Sequence, residues 1–391
     1  MDEFSNLQRR MFKHIIDGQI KKFFRHIKSN SDLEDELQQS DYNLKSITSI
    51  ASKYGYSFSQ IQLKEYLEET LDILLSPEEN SRRQACMEAK PLLPTFNKIE
   101  KKHLAPRVNY HSYFDNFVLC RKSILEGNVS VISFFPSISK LKSVISNDIK
   151  KILCVDNLSY AHLQITHEEL IRRAPLAFET LKNNNQITSI MNNIISELGL
   201  DSRHVLWQWP TFRIFFPEKF GSLGINSGST SFLLDPHRDT WYGAPQHQIN
   251  VWGPIEPIAK NQTLNILADY HQIPVQNSSK TVDVWYQYLG LSLIPKIQTE
   301  VSTSNVLAPP LNSGDAMLFC GHALHSSSKE QITKTRVSFE FRLVHQDDKN
   351  ADYKPENIDY FGNGTLFRNW YNHHGVEINL YSGEPFEKSS G

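Results

Sequence analysis

The chain has 391 residues, 39% of them hydrophobic and 11% aromatic, which is enough for a sizeable core and more than one average domain requires. Its 41 basic and 43 acidic side chains leave a net charge of −2, which speaks against the basic surface of a nucleic-acid binder and the acidic run of a solvated tail. No stretch of about 18 apolar residues and no apolar N-terminal core exists, so no membrane span or signal peptide is expected; Cys86, Cys120, Cys154 and Cys320 form no C-x-x-C pair and predict reduced thiols in a cytoplasmic protein.

The first 76 residues carry helical spacing. Phe23, Phe24, Ile27, Leu33 and Leu37 recur at near-helical intervals, and so do Leu44, Ile47, Ile50 and Ala51. Gly55 is placed to end that helix in a left-handed cap, and Ser59 with Gln62 three residues on predicts a capping box at the start of the next. Ser76 to Asn80, with Pro77, reads as a break, so residues 1–80 are expected to form a helical accessory domain and 81–391 the main domain. Residues 23–67 resemble the nitrogen-fixation-associated leader-peptide family in their D-L-x-x-x-L element, A-S-K-Y-G-Y-S-F turn and L-K-E-Y-L. That resemblance implies docking of a peptide or protein partner. The sequence departs from it after Leu75, where no Gly-Gly processing site follows, so a plain helical appendage that packs on the main domain or dimerises stays open.

Further along, Val129–Phe135 is β-rich, while 167–173 and 186–198 have helical character. From about 204 the pattern changes to short β-rich segments between Gly, Pro, Asn and Ser turns: Trp207–Phe216, Gln248–Trp252, Ala316–Phe319 and Arg336–Val344. Strands at this spacing predict a sandwich or open barrel spanning about 204–345. Residues 347–391 are polar and aromatic and are expected to wrap over the surface.

Three elements carry chemistry. In Asp235-Pro236-His237-Arg238-Asp239, an extended chain would turn His237 and Asp239 to one face, because side chains alternate along a strand. Ser313-Gly314-Asp315 is a tight turn before a buried strand that leads to Gly321-His322-Ala323-Leu324-His325. Arg336-Val337-Ser338-Phe339-Glu340-Phe341-Arg342 alternates strictly between polar and apolar side chains. Two histidines and a carboxylate on one face of an iron leave three coordination positions open. A 2-oxo acid can fill two of these and oxygen the third. The distal carboxylate of such an acid needs a cation at fixed reach, and the planar fork of arginine suits a carboxylate.

Together these elements resemble the iron(II)- and 2-oxoglutarate-dependent oxygenases, in particular the phytanoyl-CoA-dioxygenase-like branch. Its pattern runs H-x-D, a G-D-x-x-x-F strand, L-H-x-S and an arginine about ten residues later. Here Arg336 lies 11 positions after His325. The resemblance implies an α+β fold with a double-stranded β-helix (jelly-roll, cupin-like) core, flanking helices and the N-terminal helical domain. It implies that His237, Asp239 and His325 hold Fe(II), that Arg336 and Ser338 hold the far carboxylate of 2-oxoglutarate, and that Gln248 and Asn250 lend polar groups to the co-substrate. Arg213 could reach substrate or co-substrate, while Trp241 and His247 could line the pocket. His322 is the other candidate histidine of its segment, and Arg342 is the alternative to Arg336. The element from Asn261 to His271 matches a family motif in degraded form, with Ala268-Asp269-Tyr270-His271 in place of P-G-S-H. Halide-transferring relatives lack the metal carboxylate, so Asp239 points to hydroxylation, desaturation or ring closure of a small-molecule or peptide substrate. Two other classes remain open: a metal-dependent hydrolase or isomerase on a similar barrel, and a non-catalytic partner-binding protein.

Overall fold

A computed structural model of the chain describes residues 44–74, 106–112, 118–217, 234–258, 262–279, 295–328, 332–362, 369–380 and 382–385, with parts of 13–37 and 224–231. The expected domain boundary at 80 and the break at Pro77 lie outside these residues, as do Cys86 and Asn261.

In the N-terminal part, residues 16–27 are helical, followed by α1 (Leu44–Lys53) and α2 (Gln60–Leu74). Gly55 takes φ +82, the left-handed conformation that side chains disfavour. With it, the Gly55 amide donates to Ser52 O at 3.1 Å and the Tyr56 amide to Ala51 O at 2.9 Å, a Schellman cap. The capping box forms as expected: the Gln62 amide donates to Ser59 Oγ at 3.2 Å and the Ser59 amide to Gln62 Oε1 at 2.8 Å. Phe23, Ile47, Ile50 and Leu63 share a buried cluster made up entirely of residues from this part of the chain.

The remainder is mixed α/β, built on a large, mostly antiparallel sheet. Its main path runs β1 (Val108–Ser112), β2 (Val129–Ser133), β10 (Ala316–Cys320), β7 (Ile249–Pro254), β12 (Arg336–His345), β3 (Val205–Gln208), β13 (Trp370–Tyr371) and β14 (Glu377–Ile378). β4 (Thr211–Phe215) also pairs with β12 and continues through β5 (Gly224–Asn226) to β6 (Ser229–Ser231). Among the described residues only the β1–β2 pairing of this sheet is parallel. A second sheet has the order β11 (His325–Ser327), β8 (Leu264–Leu267) and β9 (Val306–Leu307).

Alternation along the strands separates core from cavity. Val337, Phe339 and Phe341 of β12, Phe212 and Ile214 of β4, and Leu318 of β10 enter one apolar cluster. Against them pack α4 (Pro136–Leu153), α5 (His167–Lys182) and α6 (Gln186–Glu197) through Leu141, Ile145, Ala174, Leu181, Ile190 and Ile194, all fully buried; α3 (Val118–Leu125) adds Ile124. Burying each Leu or Ile contributes about 1.5–3 kcal/mol, so this layer carries much of the fold's stability. The intervening side chains of β12 and β4 face the opposite way, towards the second sheet.

The tail does more than wrap the surface. Trp370 and Tyr371 pair with Gln208 and Trp207, extending the large sheet, and Asp359, Tyr360 and Trp370 are buried. The reason is chemical: Asp359 is the counter-charge for an arginine in the interior, described next. Among the described residues no helix is long and apolar enough to cross a membrane.

Candidate metal centre

The segment Asp235–Asp239 is not a full strand. His237 makes a single antiparallel bridge to His325, with amide and carbonyl exchanging two bonds of 2.9 Å each, and a 3-10 turn begins at Asp239. Arg238 between them is extended, at φ −112 and ψ 141, which places His237 and Asp239 on one side. Arg238 goes the other way, fully buried. Its Nε donates to Asp359 Oδ2 at 2.9 Å, and its two terminal nitrogens donate to the carbonyls of His322, Tyr270 and Ile273 at 2.5, 2.6 and 2.9 Å. Trp241 Nε1 donates to Asp359 Oδ1 at 2.8 Å. This buried pair pins the loop that carries the two candidate ligands.

His237, Asp239 and His325 each present one donor atom, and these lie within 4.8 Å of one another, close enough for one ion to reach all three. Asp239 Oδ1 stands 3.9 Å from His237 Nε2 and 3.7 Å from His325 Nε2. Both rings are oriented from behind. Nδ1 of His237 lies 2.8 Å from Asp235 O, and Nδ1 of His325 lies 2.9 Å from Ala323 O. A carbonyl only accepts, so Nδ1 carries the proton and the Nε2 lone pair faces Asp239. Burial, followed by the neighbouring His325, pushes the His237 imidazole down to about 3, while Asp239 opposes the shift. Burial likewise lowers His325. Both rings therefore stay neutral, the form that binds metal.

Asp239 Oδ2 is occupied differently. Gln248 Nε2 donates to it at 2.9 Å and Asn250 Nδ2 at 2.7 Å, and Arg342 Nε lies 3.7 Å away. Burial raises the Asp239 carboxyl, but Arg342, the two histidines and Asn250 outweigh it and hold the group below its usual range. Gln248 and Asn250, expected on the co-substrate, thus spend their amides on this carboxylate. The sequence pattern put them at the start of β7, with Gln248 just before the strand and Asn250 on it, but did not show which way the amides turn. Gly321 leaves room for this arrangement, since a Cβ there would meet Gln248 Nε2 at 3.0 Å.

Arg336 and Ser338 line the same cavity, on the β12 face that also carries Glu340 and Arg342. Arg336 is 3% exposed. One terminal nitrogen donates to Gln262 O at 3.4 Å, the guanidinium sits 4.9 Å from the Phe215 ring centre, and Nε has no hydrogen-bond partner. Among the described residues no carboxylate pairs with it. Burial, then the Arg213 charge, lowers its pKa to about 10. Arg342 is committed elsewhere: it lies against Asp239, and its terminal nitrogen donates to Glu340 Oε1 at 3.4 Å. Arg213 lines the cavity and pairs with Glu340 at 3.1 Å. Burial raises the Glu340 carboxyl, but these two arginines overcome it and keep the group charged. Among the described lining residues, three arginines therefore face two carboxylates, a positive excess inside a cavity.

Several candidates stand elsewhere. His322 is buried against His271, ring centres 5.5 Å apart, and lies outside the His–Asp–His group. Trp241 and His247 are buried but do not line the cavity. Arg238, Asp359 and Glu340 were not singled out by sequence. A charged residue between two ligands on an extended stretch must point into the core, a signal for Arg238; its partner 121 positions away gives none.

No family model matches the chain and no curated protein is similar to it, so neither the phytanoyl-CoA-dioxygenase-like branch nor the leader-peptide family is supported from that side. Among solved structures the chain is similar to the non-heme monooxygenase ThoJ, at 12% identity, TM-score 0.31, covering 55% of this chain and 71% of that one. It is similar to SnoN, a non-heme alpha-ketoglutarate-dependent epimerase from nogalamycin biosynthesis, at 9% identity, TM-score 0.30, covering 59% and 81%. It is also similar to AviO1 from Streptomyces viridochromogenes Tue57, at 12% identity, TM-score 0.31, covering 57% and 94%. TM-scores near 0.3 do not establish a common fold, and the functional reading below rests on this chain's own residues.

Proposed function

We propose that the chain is a non-haem iron(II)- and 2-oxoglutarate-dependent oxygenase whose two sheets form a double-stranded β-helix, acting on a small-molecule or peptide substrate. The observation that carries this reading is Arg336. A buried guanidinium without a carboxylate is costly unless an anion completes it, and this one faces the same cavity as the His237–Asp239–His325 group. That donor set suits an iron(II) centre, which when bound supplies oxidative decarboxylation of the oxo acid coupled to attack on a substrate C–H bond. The chain's own residues do the rest. The two backbone carbonyls behind the imidazoles fix the ligating tautomer. Gln248 and Asn250 hold Asp239 Oδ2 and leave Oδ1 facing the histidines. Arg336 and Ser338 receive the distal carboxylate, and Arg213 with Arg342 keeps Glu340 ionised beside it. A zinc hydrolase or isomerase would use the same three donors but leaves Arg336 without a role.

The test is direct. Fe(II) and 2-oxoglutarate added without oxygen should give a weak visible charge-transfer band, absent in His237→Ala. With oxygen, succinate should be released when candidate substrates are screened. A band unchanged in His237→Ala would sink the ligand assignment. Absence of any band despite bound iron would sink the co-substrate.

A further inference from the structure

A second cluster of metal-ligating side chains lies at the far end of β12. His345 is the last residue of this strand, and its Cα partner across the antiparallel pairing is Val205, the first residue of β3. His204 immediately precedes Val205, at the end of the 3-10 turn Ser202–His204, so the pairing brings it next to His345. After β12 the chain turns at once into the 3-10 stretch Gln346–Asn350, which returns Asp347 over the same ring. The outcome is measurable. The two imidazole centres are 6.0 Å apart at 79°, and Asp347 Oδ2 lies 3.6 Å from His345 Nδ1. One donor atom from each residue lies within 4.8 Å of the others.

We propose that His204, His345 and Asp347 bind a zinc ion that clips the start of β3 to the end of β12. Two imidazoles and a carboxylate are zinc ligands, with water able to complete a tetrahedron. The guanidinium beside the cluster has a carboxylate of its own. Arg121 is paired with the buried Asp348 at 2.8 Å. Among the described residues, the hydrogen bond at His345 Nδ1 is a long one, 3.4 Å from the Asp347 amide, and a metal can displace it. The ligands come from chain segments about 140 positions apart, so an ion there stabilises the folded chain in proportion to its occupancy. This cluster shares no residue with His237, Asp239 and His325, and the inference does not depend on the oxygenase reading.

Zinc chloride is titrated into the metal-free full-length protein by calorimetry, with the thermal midpoint followed in parallel. The parent is expected to bind two equivalents, and His204→Ala and Asp347→Asn one each, with a smaller zinc-dependent rise in midpoint. His204 and Asp347 are exposed, so their replacement leaves no buried void. Equal stoichiometry in parent and His204→Ala overturns the proposal, whether both bind one or both bind two. His237→Ala separates the two centres. If it keeps both equivalents while His204→Ala loses one, the clip stands and the first metal centre falls.

Discussion

Replacing Arg336 with methionine should have opposite effects on the free protein and on its co-substrate complex. In the free protein the guanidinium is 3% exposed with no carboxylate partner, and its pKa falls from 12.5 to about 10. That shift is a penalty on the order of 3 kcal/mol against the charged form in the folded state. The face of Phe215, 4.9 Å away, returns about 1–2 kcal/mol. Removing the charge while keeping a similar apolar volume should therefore stabilise the free protein by about 1–2 kcal/mol. In a chain of this size that raises the thermal midpoint by a few degrees. The complex loses a charged hydrogen-bond pair, a cost of about 2–5 kcal/mol, or tens- to thousands-fold in 2-oxoglutarate affinity. Scanning calorimetry of parent and Arg336→Met, each with and without 2-oxoglutarate at about 100 times the parent's Kd, reads both effects. The parent should gain about 2.7 kcal/mol from the ligand, and the variant less than about 1 kcal/mol. A variant that binds 2-oxoglutarate with parental affinity would refute the assignment and move the role to Arg213, whose Nε is buried and unpartnered. A variant less stable than the parent without ligand would refute the claim that the charge waits for an anion.

Three further outcomes follow from the same structure. Gln248→Leu or Asn250→Leu, each removing one donor from Asp239 Oδ2, should weaken metal binding about 10–100-fold, read by competition with a chelator; unchanged affinity would show that the carboxylate needs no such support. Asp359→Ala leaves Arg238 charged and buried and should cost about 3–5 kcal/mol in urea unfolding, and a loss below 1 kcal/mol would mean that the pair does not pin the ligand loop. His247 is pushed down to about 3 by burial first and by Lys354, Lys349 and His345 after it. Its folded pKa is below its unfolded value near 6.5, so the unfolded chain takes up the proton first, and stability falls as pH drops from 6.5 towards 3 by about 1.4 kcal/mol per unit. In His247→Gln the fall in stability between pH 6 and 4 should be shallower by that amount.

Sequence alone determined much of the local structure and the residue types of the site. The Gly55 cap and the Ser59–Gln62 box need only neighbours within five positions, so they were legible and form as expected. Alternation in β12 was equally legible, because a strand repeats every two residues wherever it lies; it divides Val337, Phe339 and Phe341 from Arg336, Ser338, Glu340 and Arg342. Spacing paired His237 with Asp239, and the family resemblance added His325. Their meeting depends on a backbone bridge between positions 88 apart, which is a tertiary event. Only the folded chain could decide where the polar side chains of the cavity turn. Gln248 and Asn250 face Asp239, Arg342 joins them, and among the described residues Arg336 is left without a carboxylate. The pairing of Arg238 with Asp359, in a tail expected to lie on the surface, was equally hidden. Hydrogen bonds and ion pairs act over about 3–4 Å in space regardless of separation along the chain. A pattern of residue types can therefore show which groups must find partners, and only packing decides which partners they find.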